Sequence, residues 1–260
     1  MRALKFVAGL AWLSLLGACG ARVAGADDKG GADDKGGVAE KVERVASKAG
    51  GEASRSFVAT GFTGVKLAGS DDVVVTRGDK FSVVATGPQD VLDKLDIAVK
   101  NGVLVIGRAG GMMHRYTDDG ARVAVTLPRL DRAELTGSGT LSIDQAEADA
   151  VNLVLSGSGD LAVDAVTAKA MAIAMAGSGD LTVKAGKADR GEVSLAGSGD
   201  VDVNGVTLGT ANISLSGSGD VDATATATAS VAIVGSGDVR LGGGAKCDTS
   251  EMGSGTVSCR

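Results

Sequence analysis

A Gly-Ser-Gly motif recurs at an almost fixed period through the second half of the chain. Its copies begin at residues 137, 157, 177, 197, 217, 235 and 253, so the spacing is 20 residues four times and then 18 residues twice. The residue that follows is Asp160, Asp180, Asp200, Asp220 and Asp238 in the five middle copies, and Thr140 and Thr256 in the first and last. Repeats of this length stack on one another to share a core, so the motif predicts a solenoid.

Apolar residues alternate with polar or small residues on both sides of the motif. Leu161 and Val163 follow one copy at its fifth and seventh positions, and Leu153 and Leu155 precede it. This period of two is typical of strands with one buried face. No stretch within a repeat is long and periodic enough for a crossover helix, so like strands must stack in parallel. The sequence therefore predicts an all-β fold, a right-handed parallel β-helix whose coils have about 18–20 residues.

The glycines are expected at the corners of the coils, because Gly accepts a positive φ without a Cβ penalty. Polar, Ala-rich segments such as residues 145–150 and 185–190 are expected to be looser loops that close each coil. The two shorter spacings are expected to lose two residues from that loop. Residues 69–72, Gly-Ser-Asp-Asp, look like a degenerate corner, which predicts that the solenoid begins before residue 137.

Residues 1–18 have the features of a lipoprotein signal peptide. Arg2 and Lys5 precede an apolar run, and the segment ends Leu-Gly-Ala before Cys19, which resembles the lipobox of bacterial lipoproteins. That resemblance implies acyl chains on Cys19 and, because Gly20 follows, sorting to the outer membrane of a host with two membranes. The alternative is ordinary signal cleavage a few residues later.

Three further segments follow the signal peptide. Residues 19–51 carry the sequence Gly-Ala-Asp-Asp-Lys-Gly twice and are predicted to be a flexible Gly/Asp/Lys-rich tether. Residues 52–136 are predicted to be a β-rich N-terminal part of the β-helix domain, and residues 137–260 its regular part. Gly78-Asp79 and Asn101-Gly102 are expected to be hairpin turns, and residues 88–95 a helical segment.

Composition argues against nucleic-acid binding and catalysis. The net charge is −6 and aromatic residues make up 2% of the chain. A polysaccharide-cleaving β-helix would need paired carboxylates beside aromatic side chains that stack on sugars, whereas the only Trp, Trp12, lies in the signal peptide. His114 has no second His or Cys nearby and is not expected to bind a metal. We therefore predict no catalytic residues, no cofactor and no nucleic-acid partner.

Two polar features of the repeats carry predictions of their own. Cys247 and Cys259 are expected to form a disulfide in the last coil, because an exported chain meets an oxidising compartment. The five motif aspartates are expected to line up along the stack, about 4.8 Å apart. Each carboxylate then either accepts N–H groups at its own corner, which we favour, or shares a calcium ion between coils.

The chain resembles one family in several stretches: the putative auto-transporter adhesin head GIN domain. The resemblance rests on the corner at residues 69–71, on Val-Ala-Val-Thr-Leu-Pro-Arg-Leu at residues 123–130, on residues 133–139 and on the tandem motifs, and it covers about residues 60–256. It implies a β-helical, envelope-associated bacterial protein without established catalytic residues.

These observations predict a non-catalytic lipoprotein, anchored in the membrane by its lipid. Its β-helical surface would serve binding or a structural role, on the periplasmic or the outer side, with a protein or glycan partner. The alternative is a calcium-binding solenoid or a calcium-dependent polysaccharide-active enzyme. The sequence leaves open whether the chain forms a homo-oligomer.

Overall fold

Parallel strands stacked in register make up most of the molecule. The structure is a computed structural model that describes residues 44–49, 52–109 and 120–260. All of these residues belong to one compact unit, Gly37–Arg260. The predicted signal peptide, Cys19, most of the predicted tether and His114 lie outside the described residues.

One 17-stranded sheet and one short helix account for the regular structure of the described residues. The elements in chain order are β1 (Arg44–Ala49), β2 (Glu52–Phe57), β3 (Gly64–Gly69), β4 (Asp72–Arg77), β5 (Ser82–Gly87), α1 (Gln89–Leu92), β6 (Leu95–Lys100), β7 (Val103–Arg108), β8 (Arg122–Leu127), β9 (Arg132–Gly137), β10 (Thr140–Gly157), β11 (Asp160–Gly177), β12 (Asp180–Gly197), β13 (Val201–Gly217), β14 (Val221–Gly235), β15 (Val239–Gly242), β16 (Lys246–Gly253) and β17 (Val257–Cys259).

The repeats form a β-solenoid of about six turns, which confirms the predicted fold class. Strands β10 to β14 pair in parallel, and equivalent residues of successive repeats lie opposite one another. The inward-facing residues therefore form apolar columns along the stack. One buried column consists of Leu141, Leu161, Leu181, Val201, Val221 and Val239.

The prediction of a loose loop in each coil is wrong. Strand β10 runs without a break through residues 145–150. Its pairing with β11 skips only residues 144 and 149, so each coil has three paired runs separated by bends. Ala146 is buried, which makes the middle run a third wall of the core. The small Ala side chains had suggested a loop, but they fit the narrow interior between three walls.

The shortened coils behave as predicted. Between β13 and β14 the register shifts at Val203/Thr207 and again at Leu208/Thr210, and the two shifts together remove two residues from the middle run. The corners and the buried columns on both sides of this run keep their alignment, because Gly217 still lies opposite Gly235.

The solenoid begins before residue 137, as the degenerate corner predicts. Strand β3 pairs in parallel with β9 and places Gly69 opposite Gly137. Strand β4 pairs in parallel with the start of β10. These two strands and the corner between them are therefore an early coil, on which the regular repeats stack.

The N-terminal end of the stack is closed by antiparallel strands. Strand β6 pairs with β7 through the predicted Asn101-Gly102 hairpin, and β5 continues the sheet from β8 to β2 and then to β1. Strand β1, Arg44–Ala49, lies within the range predicted to be a tether, so that prediction is wrong for these six residues.

Two predicted local features at this end differ from the structure. Gly78-Asp79 is not a hairpin turn, because β8 lies between β4 and β5 and pairs with both. The helical segment predicted at residues 88–95 is a single turn, α1, which ends at Leu92. Strand β6 begins at Leu95, and its pairing with β7 leaves no room for a longer helix.

Deleting one whole coil tests the solenoid directly. Strand β12 lies between β11 and β13, and all three carry equivalent inward columns. A chain that lacks residues 177–196 should therefore fold, because β11 can pair with β13 in the same register. Its far-UV circular dichroism should keep the strand signature, and its thermal transition should remain cooperative.

A half-coil deletion is the matched control. Removing residues 177–186 places Lys187 and Asp189 at the corner positions of Gly177 and Gly179 and should give aggregated protein, because neither side chain fits against the corner of the preceding coil. Equal damage from the two deletions would contradict the stacked-repeat fold.

Candidate functional site

We call the stacked Gly-Ser-Gly-Asp positions, from residues 137–140 to residues 253–256, the corner ridge. The first glycine of every copy has a φ between 129° and 143°, a region that favours Gly. The second glycine has no such φ, but it packs as tightly as the first. A Cβ on Gly179 would lie less than 3.0 Å from the carbonyl oxygen of Gly159 in the coil before. Both glycines are therefore required, the first by conformation and by packing, and the second by packing alone.

Backbone hydrogen bonds join the corners of successive coils. The N–H of Ser178 donates to the carbonyl of Gly157 at 2.9 Å, and Ser198 makes the same bond to Gly177. The serine side chains project from the corner, and the hydroxyls of Ser158 and Ser178 lie 3.3 Å apart. The close approach of the glycines is what allows these bonds, so the corner ridge is first of all a stacking element.

Four of the five motif aspartates, Asp180, Asp200, Asp220 and Asp238, accept hydrogen bonds from the following coil. The Asp200 carboxylate accepts the backbone N–H of Asp220 at 2.8 Å, and the Asp220 carboxylate accepts that of Asp238 at 3.0 Å. The prediction that each carboxylate accepts N–H groups at its own corner is therefore wrong for these aspartates. The pattern of backbone hydrogen bonds between coils changes at this position, because the N–H of Val201 donates to the carbonyl of Asp220 in the following coil. The N–H of Asp220 donates to the Asp200 side chain instead of to a backbone carbonyl. The carboxylate thus takes the place of a backbone carbonyl as the acceptor of a hydrogen bond between coils.

Two groups at the C-terminal end of the corner ridge compensate its negative charge. The hydroxyl and the N–H of Thr256 donate to Asp238 at 2.7 and 3.0 Å, and these bonds lower the pKa of the Asp238 carboxyl below its usual value. The Arg240 guanidinium lies 3.2 Å from Asp220 and 3.5 Å from Asp222. Because the Asp238 pKa is lowered, its contribution to stability is present above the unfolded pKa and is lost as the pH falls through the folded pKa.

Calcium is not needed to satisfy these carboxylates, because backbone N–H groups and Arg240 already contact several of them. Within residues 44–49, 52–109 and 120–260, no group of three or more His, Cys, Asp or Glu residues is arranged to hold a metal ion. One Asp per coil also falls short of the six or more oxygens that Ca²⁺ takes.

Cys247 and Cys259 form the predicted disulfide. Cys247 lies on β16 and Cys259 on β17, which belong to different walls of the last coil. The bond therefore crosses the open end of the core and ties the two end strands together. Cys19, the predicted lipidation site, lies outside the described residues.

A buried ion pair near the start of the solenoid escaped the sequence analysis. Asp71 is fully buried at the position that Gly139 occupies in the next coil. Arg108 donates to both of its carboxylate oxygens, and the N–H of Ala121 donates to it at 2.8 Å. The signal was the degenerate motif itself, in which Asp71 replaces the second glycine of the corner.

Ion pairs also link successive coils at the bends. Lys184 lies 2.7 Å from Asp164, and Lys169 lies 2.9 Å from Asp149. Hydrogen bonding to Lys169 lowers the pKa of the Asp149 carboxyl, and the same bond raises the pKa of Lys169. These side chains are exposed, so their main effect is to set the pattern of charge on the outer surface rather than to stabilise the fold.

The family model described as "Putative auto-transporter adhesin, head GIN domain" matches residues 61–245. Among solved structures, a putative adhesin from Bacteroides fragilis NCTC 9343 has a TM-score of 0.74 at 19% identity, over 80% of this chain and 97% of that one. A putative lipid binding protein from Parabacteroides distasonis ATCC 8503 has a TM-score of 0.63 at 22% identity, over 81% of this chain and 97% of that one. At these identities the likeness shows the fold alone.

A search of curated proteins found no relative of this chain. The one described helix, α1, has four residues, and no helix in the described part of the chain could span a membrane. The family and the Bacteroides fragilis neighbour carry the names of adhesins, and the Parabacteroides distasonis neighbour carries that of a lipid binding protein.

Substitutions at Asp200 test the role of the corner carboxylates. Asp200→Asn should keep most of the stability, because the amide oxygen can still accept the N–H of Asp220. Asp200→Ala should lower the free energy of unfolding by about 0.5–1.5 kcal/mol, since that N–H loses its partner. Urea unfolding of both variants measures the difference.

Thermal unfolding of the wild-type protein distinguishes a hydrogen-bonding role of the corner carboxylates from calcium binding. With and without EDTA, the wild-type thermal transitions should coincide. A transition that falls by many degrees in EDTA and recovers with added Ca²⁺ would contradict the hydrogen-bonding role.

Proposed function

Because this chain belongs to the family described as "Putative auto-transporter adhesin, head GIN domain", we propose that it is a non-catalytic lipoprotein of the bacterial cell envelope. The lipid on Cys19 anchors the chain in the membrane, the outer membrane where the host has two. Residues 19–43 act as a tether, and the solenoid presents its outer walls to a protein or glycan partner.

The outer surface of the solenoid supports a binding role. On the wall that precedes each corner, the outward residues of one column are small and exposed: Ala174, Ser194, Ser214 and Ala232. Short side chains leave this wall flat over several coils, which repeat about every 4.8 Å. A flat, regular, hydroxyl-bearing surface is suited to an extended partner, such as a glycan chain or a strand of another protein. It is poorly suited to enclosing a small substrate.

The arrangement of polar groups supports a role without catalysis. The motif aspartates accept backbone hydrogen bonds, Asp71 is enclosed with Arg108, and the bend carboxylates pair with lysines. These groups act within the fold. The single observation that carries the proposal is the family match over residues 61–245. The lipobox-like segment that ends at Cys19 supports the lipid anchor.

Replacement of Cys19 tests the anchor. In cells that produce Cys19→Ala, the protein should move from the membrane fraction to the soluble fraction, because a single residue carries all the acyl chains. Each buried CH₂ of those chains contributes about 0.8 kcal/mol to membrane binding, so their loss should release nearly all of the protein. Fractionation followed by immunoblotting measures the distribution.

The matched control is the double variant Cys247→Ser/Cys259→Ser, which removes the other two thiols but keeps Cys19. It should stay in the membrane fraction. If Cys19→Ala also stays there after a high-salt wash, the lipoprotein proposal is wrong.

A further inference from the structure

Strand β16 ends one wall of the solenoid. It pairs with β14 along one edge, and within residues 44–49, 52–109 and 120–260 no strand pairs with its other edge. A free edge of this kind carries unpaired N–H and C=O groups and is a ready template for pairing with a second chain. The coil is regular up to this point, so a second solenoid could continue the stack unless a feature of β16 prevents it.

The register places polar residues of β16 where all earlier coils have apolar ones. Thr249 lies opposite Val231, and Glu251 lies opposite Ile233. Both partners are buried, whereas Thr249 and Glu251 are exposed. The Glu251 column is otherwise apolar and buried along its whole length: Leu135, Leu155, Met175, Leu195, Leu215 and Ile233.

A second copy could stack on this edge only by burying these two side chains. Two β16 strands related by a twofold axis run antiparallel, and residues directly opposite one another face the same side of the sheet. In one pairing of the two β16 strands, the inward residues of both copies face the same core, and Thr249 lies opposite Thr249 of the second copy. It sets Glu251 against Cys247 of the second copy, beside the disulfide. Both carboxylates would then lie in the core without a partner, which is strongly unfavourable.

We propose that Thr249 and Glu251 form a stop that prevents end-to-end association of the solenoid through β16. The Cys247–Cys259 disulfide closes the core beside them, and the polar pair makes the closed end unsuitable for a further coil. Terminal repeats with a polar outer face have this purpose in repeat proteins generally, and a charged residue pointing inward is one way to protect an edge strand.

The opposite end of the solenoid is protected by a different device. Helix α1 and strand β6 bring apolar residues over the first coils, and Val91, Leu92, Leu95 and Ile97 are all buried. In the part of the chain that the structure describes, that end is covered by additional structure, whereas the C-terminal end has only its own last coil. Its protection therefore depends on the residues that this coil places at inward positions.

A matched pair of double variants tests the stop. Thr249→Val/Glu251→Ile changes the two inward residues, and Ser250→Val/Asp248→Ile changes their outward neighbours on the same strand. Each pair loses one hydroxyl and one carboxylate and gains one Val and one Ile, so the overall change in composition is the same. Both are made in full-length Cys19→Ala protein, which removes the third thiol, and folding is checked by circular dichroism and thiol titration.

The inward variant should form dimers, so its mass by light scattering should double as the concentration rises. Small-angle scattering should show that the added mass lies along the long axis. Wild-type protein and the outward variant should remain at the mass of one chain. Equal association of both variants would assign the effect to added surface hydrophobicity and would overturn the proposal. So would an inward variant that stays monomeric, or wild-type protein that already associates end to end.

Discussion

The close approach of glycine backbones at the corners is the constraint on which the rest of the structure depends. At each corner two glycines lie against the corner of the coil before, so closely that neither tolerates a Cβ atom. The Ser N–H groups can then reach the carbonyls of that coil, as Ser178 reaches Gly157 at 2.9 Å. The strands on both sides are held in register by these contacts, and their inward residues align in columns. The motif that dominates the sequence is therefore explained by stacking before any ligand is considered.

The charged residues also form contacts between successive coils. A column of aspartates would be repulsive, but each carboxylate from Asp180 to Asp238 accepts an N–H of the next coil. Opposite charges meet at two of the bends, where Lys184 contacts Asp164 and Lys169 contacts Asp149. Where the motif is degenerate, Asp71 is enclosed and paired with Arg108. Polar groups that could suggest a catalytic or metal site are thus engaged in joining coils, and we propose the outer walls as the surface for a partner.

Much of this fold could be predicted, because the spacing of the repeats shows which residues of successive coils lie opposite one another. The period of 20 residues determined which residues pair, and alternation determined which face inward. The start of the solenoid at Gly69 followed from a recognisable copy of the corner. The shortening by two residues between β13 and β14 followed from the spacing alone.

Features that depend on contacts between distant segments could not be predicted. The middle run of each coil is rich in Ala and polar residues and has no strong strand pattern, yet it becomes a strand because its neighbours above and below pair with it. The Gly78-Asp79 turn has the right residues for a hairpin, but β8 inserts between β4 and β5 from later in the chain. The acceptor role of Asp200 depends on a change in the ladder that the motif does not reveal.

The stability of Gly179→Ala, compared with that of Gly242→Ala, tests the corner constraint most directly. Neither glycine has a left-handed φ, so backbone strain does not separate them. A Cβ on Gly179 would meet the Gly159 backbone at less than 3.0 Å, whereas the nearest atom to a Cβ on Gly242 is 3.6 Å away. Gly179→Ala should therefore lower the free energy of unfolding by about 3 kcal/mol or more, and Gly242→Ala should change it by less than about 1 kcal/mol. Equal effects of the two substitutions in urea unfolding would contradict the claim that close backbone stacking at the corners holds this solenoid together.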